Sequence, residues 1–351
     1  MLRIISHLTT DQGTALNQTL SPDIYDTPAS DWERYFILLW STFCALISIP
    51  GNTSVLVASG WYHAIRLDNV SVILIRNLAA ADLVYAITVI LPTTWSVLQQ
   101  KWVLGPCLCN VQFFLGYLTC LAGVILVCTL NISKLTTLLF PLHARTRAKR
   151  TGRFISLLIW GIILVALLPV VLWVVTGLVE FSSSSYKCDG TYDASNGQWW
   201  LPVYSIIFGL LPIILVVVTT VWLLHFVKKV RGLQKQSVIT NIIISVVYIV
   251  AIFPYVVLQG SYIALDPEKN KMFYEYFYRF SVFVIWINST ANPLIYYFTI
   301  LSYHNFVKRM FKCNSPKKTA TVISNKLAHS LNDSSAFYPK DLGDVVLKLS
   351  I

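Results

Sequence analysis

The chain has 351 residues, 56% of them hydrophobic and only 12% charged, with a mean hydropathy of +0.63. No water-soluble domain of this size could bury so much apolar surface, so a soluble enzyme or binding module is excluded and a membrane protein is required. The formal charge of +11 follows from basic residues clustered at alternate span ends, which implies contact with anionic lipid and cytosolic partners rather than with nucleic acid.

In chain order, residues 1–34 are polar and acidic and form an N-terminal segment with a glycosylation sequon, Asn17-Gln18-Thr19. They lack the apolar core of a cleavable signal peptide, so the first span is expected to act as its own insertion signal. A bilayer core of about 30 Å needs ~20 helical residues. Apolar stretches of that length lie at 36–62, 71–98, 108–140, 153–179, 200–227, 237–264 and 273–300. The expected fold is therefore an all-α membrane protein, a seven-transmembrane helix bundle over 35–301. A short amphipathic helix over 302–313 and a polar, disordered cytoplasmic tail over 314–351 complete the chain.

With the N-terminus outside, the inner flanks and tail hold 19 Lys/Arg against 4 Asp/Glu, and the outer segments hold 7 against 11. Asp82 and Lys134 stay within the spans. The positive-inside rule selects this orientation, in the plasma membrane with the N-terminus extracellular.

Of seven cysteines, Cys44, Cys120 and Cys128 lie in spans, and Cys313 lies inside. Cys107, Cys109 and Cys188 sit at the outer face, where oxidation is permitted. One external bridge follows, from Cys188 to either Cys107 or Cys109, and the spacing Trp102-x-x-Gly105-x-x-x-Cys109 favours Cys109. No CxxC, HExxH or Cys/His cluster suggests a metal.

Polar residues inside spans are costly and therefore face one another or water. Asn52 in the first span, Asp82 in the second, and Asn288, Ser289 and Asn292 in the seventh all fall near mid-membrane. A shared polar core, static or switchable, is the arrangement of lower free energy.

Asn52 after Gly51, Leu78-Ala79-Ala80-Ala81-Asp82, Cys109, Trp160, Pro169, Pro212, Pro254 and Asn292-Pro293-Leu294-Ile295-Tyr296 follow one another at least once per span. In order and spacing this set resembles the rhodopsin-like (class A) G-protein-coupled receptors, over roughly 35–313. The resemblance implies an activation core of Asn52, Asp82, Lys134, Pro254, Asn288, Ser289, Asn292, Pro293 and Tyr296. In such receptors Pro293 would free a backbone carbonyl, Asn288 and Asn292 would reach toward Asp82, and Tyr296 would swing inward on activation. The 25 residues from Cys109 to Lys134 cover about 37 Å as a helix, enough to cross the membrane and bring Lys134 to the cytosol.

Several positions depart from the family. Ser133-Lys134-Leu135 stands where the family usually has Asp-Arg-Tyr; lysine lacks the guanidinium fork and Ser133 cannot be an anionic partner. The resting lock is therefore expected to be weaker. The usual CWxP reads Ala251-Ile252-Phe253-Pro254, so the aromatic toggle is absent or moved to Phe253. Thr220 replaces a common tyrosine. Gly123 replaces a serine of the family's sodium site, which leaves Asp82, Asn288 and Ser289 as an incomplete cation shell and only weak sodium binding.

The expected ligand site is walled by Gly116, Tyr117, Cys120, Tyr204, Phe208, Tyr255, Gln259, Tyr262, Arg279 and Trp286. Its third span has no acid for an amine, and its seventh no lysine for retinal. An acidic rim (Glu180, Asp189, Asp193, Asp266, Glu268, Glu275) with Trp199 and Trp200 suits a basic, aromatic peptide. The alternatives are an apolar or lipid-like small molecule held by the aromatic interior with Arg279 at its head group, or no agonist at all.

Partners implied by the resemblance are a heterotrimeric G protein, reached by outward movement of the sixth span about Pro254, and arrestin at a phosphorylated tail. Phe306 and Met310 flank basic residues in an interfacial helix that contacts membrane lipid, with Cys313 as a palmitoyl site or a free thiol. The terminal Leu349-Ser350-Ile351 fits a PDZ ligand. No cofactor is expected. A transporter would show repeats and paired intramembrane charges, and an enzyme a nucleophile with its base; the chain offers neither. The remaining rival is a non-signalling decoy or partner receptor, supported by Ser133-Lys134-Leu135.

Overall fold

The computed structural model describes residues 30–60, 65, 67–140, 149–183, 185–190, 206–264 and 270–311. The N-terminal sequon at Asn17, Trp199, Trp200, Tyr204, Cys313 and the tail lie outside them. Met1–His304 and Asn305–Ile351 are separate compact units.

In the first unit α1 runs Asp31–Gly60 and α2 Asn69–Tyr85, continued by a π turn Ala86–Ile90 into α3, Leu91–Gln99. Next come α4 (Gly105–Leu139), α5 (Lys149–Ala166), α6 (Leu168–Val175) and a hairpin of β1 (Val179–Ser182) and β2 (Lys187–Gly190). A second π turn, Ile206–Leu210, leads into α7 (Leu211–Val227), followed by α8 (Gly232–Ala264) and α9 (Lys271–Thr299). A last helix, α10, covers Leu301–Phe311.

Proline shapes the breaks. Pro92 and Pro212 each follow a five-residue π turn. A proline has no N–H and its ring collides with the carbonyl four residues back, so the preceding turn widens to let the chain pass. Pro169 stands at the start of α6, where α5 and α6 meet at 43° and together make one bent span.

Five helices of the described chain are long and apolar enough to cross a membrane, and the α5–α6 pair makes a sixth. The 29-residue α9 is also long enough; Asn288, Ser289, Thr290 and Asn292 dilute its apolar content. Helices α1, α2, α4, α7, α8 and α9 pack in a closed ring, with α5 against α2 and α4. Burial is inverted relative to a soluble protein: Ser48, Asn52, Thr240 and Ser245 are fully buried while Leu157, Val165, Leu172 and Val175 face outward. Such a surface is stable only in lipid.

Candidate functional site

At one end of the bundle the hairpin lies over the helices, with Phe181 opposite Cys188 in its antiparallel register. Cys188 is joined to Cys109, while Cys107 is an exposed free thiol. Gln112, one turn along α4 from Cys109, fixes the same strand: its Oε1 accepts from Cys188 N at 2.8 Å. Its Nε2 donates to Val89 O and Thr93 Oγ1, both at 3.2 Å. The Val89 carbonyl lies in the π turn ahead of Pro92, so the local break supplies an acceptor that a regular helix would have used itself.

Beneath the hairpin is a cavity of about 90 Å³, walled by Gly116, Tyr117, Cys120 and Tyr255 together with Lys187 and Asp189 of the hairpin. The Tyr117 and Tyr255 hydroxyls share a hydrogen bond at 3.1 Å. Asp189 accepts from Tyr278 and pairs with Lys187. Four of the expected ligand residues thus meet here, and the hairpin adds Asp189 and Lys187. Arg279 is placed elsewhere: its Nη1 donates to Glu33 Oε1 at 2.8 Å, in a pair whose side chains are 8% and 14% exposed. Trp286 is fully buried in a cluster with Ile37, Cys44, Ala86, Ile90 and Val282; it is not a lining residue of the cavity but lies in the cluster of Val282, which is. Phe208 lies in the second π turn. Tyr204 and the side chains of Gln259 and Tyr262 are outside the described set. Phe253, the candidate toggle, faces outward and is 51% exposed.

At mid-bundle the polar residues converge. Asn292 Nδ2 donates to Asp82 Oδ2 at 2.7 Å. Asn52 Nδ2 donates to the Ser289 carbonyl at 3.0 Å and to Ser48, and Ser48 Oγ donates to the same Ser289 carbonyl. That carbonyl is four residues before Pro293, which has no N–H to claim it. Gly51 permits the approach, since a Cβ there would stand 2.7 Å from Pro293 Cγ. Tyr296 is fully buried, and among the described residues its hydroxyl has no hydrogen-bond partner.

The residues expected to form a cation shell beside Asp82 have other neighbours here. Gly123 offers no side-chain oxygen, and the Tyr248 ring lies 3.3 Å from where its Cβ would be. Asn288 lies against the same glycine, 3.5 Å from that point, and Asp82 Oδ2 is taken by Asn292. Among the described residues no group of three or more His, Cys, Asp or Glu could hold a metal.

At the other end Lys134 is 3% exposed rather than open to water. Its Nζ donates to Asp68 Oδ2 at 2.8 Å. Asp68 is also the N-cap of α2, accepting from Ser71 N at 2.9 Å and Ser71 Oγ at 2.7 Å. Burial pushes the Asp68 carboxyl up, but the Lys134 ammonium and the Ser71 hydrogen bonds outweigh it and hold the group below the usual carboxylate value. The anion that Ser133 cannot supply therefore comes from a different helix, where sequence spacing along α4 does not reveal it.

Beside this pair lies a cluster that the sequence reading missed. Asn131 Nδ2 donates to Ser245 Oγ at 2.8 Å and to Thr219 and Thr220 Oγ1 at 3.2 Å, linking α4, α7 and α8. Ser245 Oγ donates to the Asn241 carbonyl at 2.8 Å, and Asn241 Nδ2 reaches the Leu130 carbonyl at 3.3 Å. The same cost argument that singled out Asn52 would have found Asn131, Asn241 and Ser245 in their spans.

The profile described as 7 transmembrane receptor (rhodopsin family) matches residues 51–296, well over half of the chain. The chain is similar to G-protein coupled receptor 183-B of Danio rerio, at 24% identity over 67% of this chain and 69% of the relative. It is similar to somatostatin receptor type 2 of Sus scrofa, at 23% over 72% and 70%. It also resembles C-X-C chemokine receptor type 2 of Homo sapiens, at 27% over 52% and 51%. The matched segment contains the seam from Asn52 to Asn292, the Cys109–Cys188 bridge and Lys134. The chain is a multi-pass membrane receptor, not an enzyme, and belongs to the rhodopsin family of seven-transmembrane receptors.

Proposed function

We propose that the hairpin end faces the cell exterior and receives a peptide ligand, and that the Lys134 end faces the cytosol and acts on a heterotrimeric G protein when α8 swings outward about Pro254. The observation that carries the peptide reading is the size of the cavity. At about 90 Å³ it is well below the ~300–1,000 Å³ of small-molecule sites. It admits a side chain or a terminus, while the body of the ligand rests on the hairpin. Support comes also from relatives named for somatostatin and for C-X-C chemokines. A lipid-like ligand with an acidic head would use Arg279, which Glu33 already neutralises.

The switch reading rests on unequal satisfaction of polar groups. Among the described residues the buried Tyr296 hydroxyl has no side-chain or backbone partner, so a shape that gives it one would gain a hydrogen bond. The N-terminal sequon at Asn17 would be glycosylated, and the tail would recruit arrestin after phosphorylation.

The test is a peptide library screened on cells displaying the full chain, with Tyr117→Ala and Asp189→Asn as site controls and second-messenger output as readout. A hit whose potency falls about tenfold or more in both variants supports the site; a hit indifferent to both refutes it. The decoy reading is favoured by one observation, the burial of Lys134 against Asp68. Ligand binding without output in both the native chain and Lys134→Arg would establish it.

A further inference from the structure

The cavity beneath the hairpin holds a cation that the hairpin itself supplies. Side chains alternate along a strand, so Lys187 and Asp189 share one face of β2, and both line the cavity. The Lys187 ammonium pairs with Asp189 Oδ1 and stands 5.4 Å from the centre of the Tyr278 ring, within cation–π distance. Tyr278 and Ser185 donate to the other carboxylate oxygen, Oδ2. The carboxylate is thus held by α9 and by the hairpin turn independently of the lysine. The backbone of Lys187 is fixed on both sides: Cys188 is bridged to Cys109, and Tyr186, with a φ of 54°, is buried in the cluster of Trp286. A tyrosine persists in that left-handed region only where its surroundings hold it there.

We propose that Asp189 Oδ1 and the Tyr278 ring form a subsite for a primary ammonium group, that Lys187 fills it as a tethered occupant, and that the ligand displaces Lys187 with a basic side chain or a free amino terminus. The identity of the ligand rests on the reading of this cavity given above; the self-occupied subsite does not.

Weakness of the internal pair is the first argument. The two side chains are 17% and 23% exposed, and an ion pair that water reaches contributes little, so another cation can replace this one. Permanence of the acceptor is the second. When Lys187 leaves, Tyr278 and Ser185 still position Asp189, so the carboxylate receives a guest without reorganising. Selection is the third. A cavity of about 90 Å³ admits the end of a single side chain or a terminus, and the acid discriminates against anionic groups there. A ligand with no cation leaves Lys187 and Asp189 paired and gains nothing from the subsite. The tether also sets a threshold: the apparent affinity for any cation falls by the fraction of time that Lys187 is out. The hairpin is in this sense an internal competitor, and only a ligand with further contacts on the hairpin and the aromatic walls outbids it.

The experiment uses the purified full chain in detergent and follows its melting temperature against n-propylammonium, which completes a lysine side chain on an alanine. In Lys187→Ala the amine should raise the melting temperature saturably, with half the effect at about 1–10 mM. Neither n-propanol nor propionate at equal concentration should do so, and the amine should not act on Lys187→Ala/Asp189→Asn. The native chain should need about tenfold more amine, because its subsite is filled. No rise in Lys187→Ala, an equal rise with n-propanol, or an equal rise in the double variant overturns the subsite; equal sensitivity of Lys187→Ala and the native chain overturns the tethered occupancy. If Lys187→Ala does not fold, Lys187→Leu, which keeps the bulk of the stem, is titrated with methylammonium and judged by the same outcomes. The measurement involves neither a peptide nor a G protein. A failed peptide screen therefore leaves it untouched, and a failed rescue leaves a peptide site standing without Asp189 as its cation acceptor.

Discussion

Lys134 Nζ and Asp68 Oδ2 meet at 2.8 Å and tie the C-terminal half of α4 to the cap of α2. The lysine side chain is 4% exposed and the aspartate 32%, so removing either partner leaves a largely buried charge unpaired. Asp68→Asn or Lys134→Met should each destabilise the bundle by about 1–3 kcal/mol, less than a fully buried pair because of solvent screening at Asp68. Thermal unfolding in detergent would show it, and the exchanged pair Asp68→Lys/Lys134→Asp should recover part of the loss. Additive losses in the double-mutant cycle would deny the coupling.

The same pair sets a pH window. The Asp68 carboxyl is held below its ordinary value in the folded protein, so the folded state binds fewer protons there than the unfolded chain does. Its contribution is complete above the unfolded carboxylate value, about 3.9, and is lost only as pH falls through the lower folded value. The difference in melting temperature between the native chain and Asp68→Asn should therefore stay level from about pH 8 to pH 5. A difference that collapses near neutrality would contradict this assignment.

At the hairpin end the two cysteines in the first turns of α4 should behave oppositely. Cys188→Ser or Cys109→Ser removes a cross-link spanning 79 positions and should cost about 4 kcal/mol by loop entropy, with loss of surface expression. Cys107→Ser, at an exposed free thiol, should leave expression and melting unchanged.

Gly51→Ala tests the contact between the first and last spans. The added methyl would stand 2.7 Å from Pro293 Cγ and 2.8 Å from Pro293 Cβ, both atoms of a rigid ring. The helices must separate or shift, at about 1–3 kcal/mol. A melting temperature equal to that of the native chain would show that the backbone gives way freely.

Asn131→Leu removes the amide that joins α4 to α7 and α8. Thr219 and Thr220 retain backbone acceptors through Leu215 O and Val216 O, so they tolerate the loss. Ser245 keeps its bond to Asn241 O. The expected cost is about 1 kcal/mol of stability, accompanied by raised ligand-free signalling because α8 is held less firmly. Unchanged basal output with lowered stability would mean that the cluster is structural only.

How much could be read from sequence depends on whether a residue's partner lies along its own helix or across the bundle. Hydropathy and the intramembrane polar residues located the spans and the seam from Asn52 to Asn292, because their cost in lipid is a property of the residue itself. The Cys109–Cys188 bridge was legible for a similar reason, since few thiols face an oxidising side. Partners across the bundle were not legible. Arg279 looked like a ligand handle until Glu33, 246 positions away, was seen to hold it. Lys134 looked unpaired until Asp68 was found 66 positions away. The π turns at Ala86–Ile90 and Ile206–Leu210 were equally hidden: a proline announces that a helix must adjust but not which turn absorbs the change.

The first span, α1, is held by the last, α9. Trp40 Nε1 donates to Phe283 O, Asn52 Nδ2 to Ser289 O, and Glu33 accepts from Arg279. During translation α1 therefore lacks these cross-bundle contacts until α9 leaves the ribosome, while Asn52 keeps its bonds to Ser48 and Glu33 its bonds to Ser30. A chain that stops before Lys271 lacks all three contacts, so α1 is locked into the ring only once α9 has been inserted.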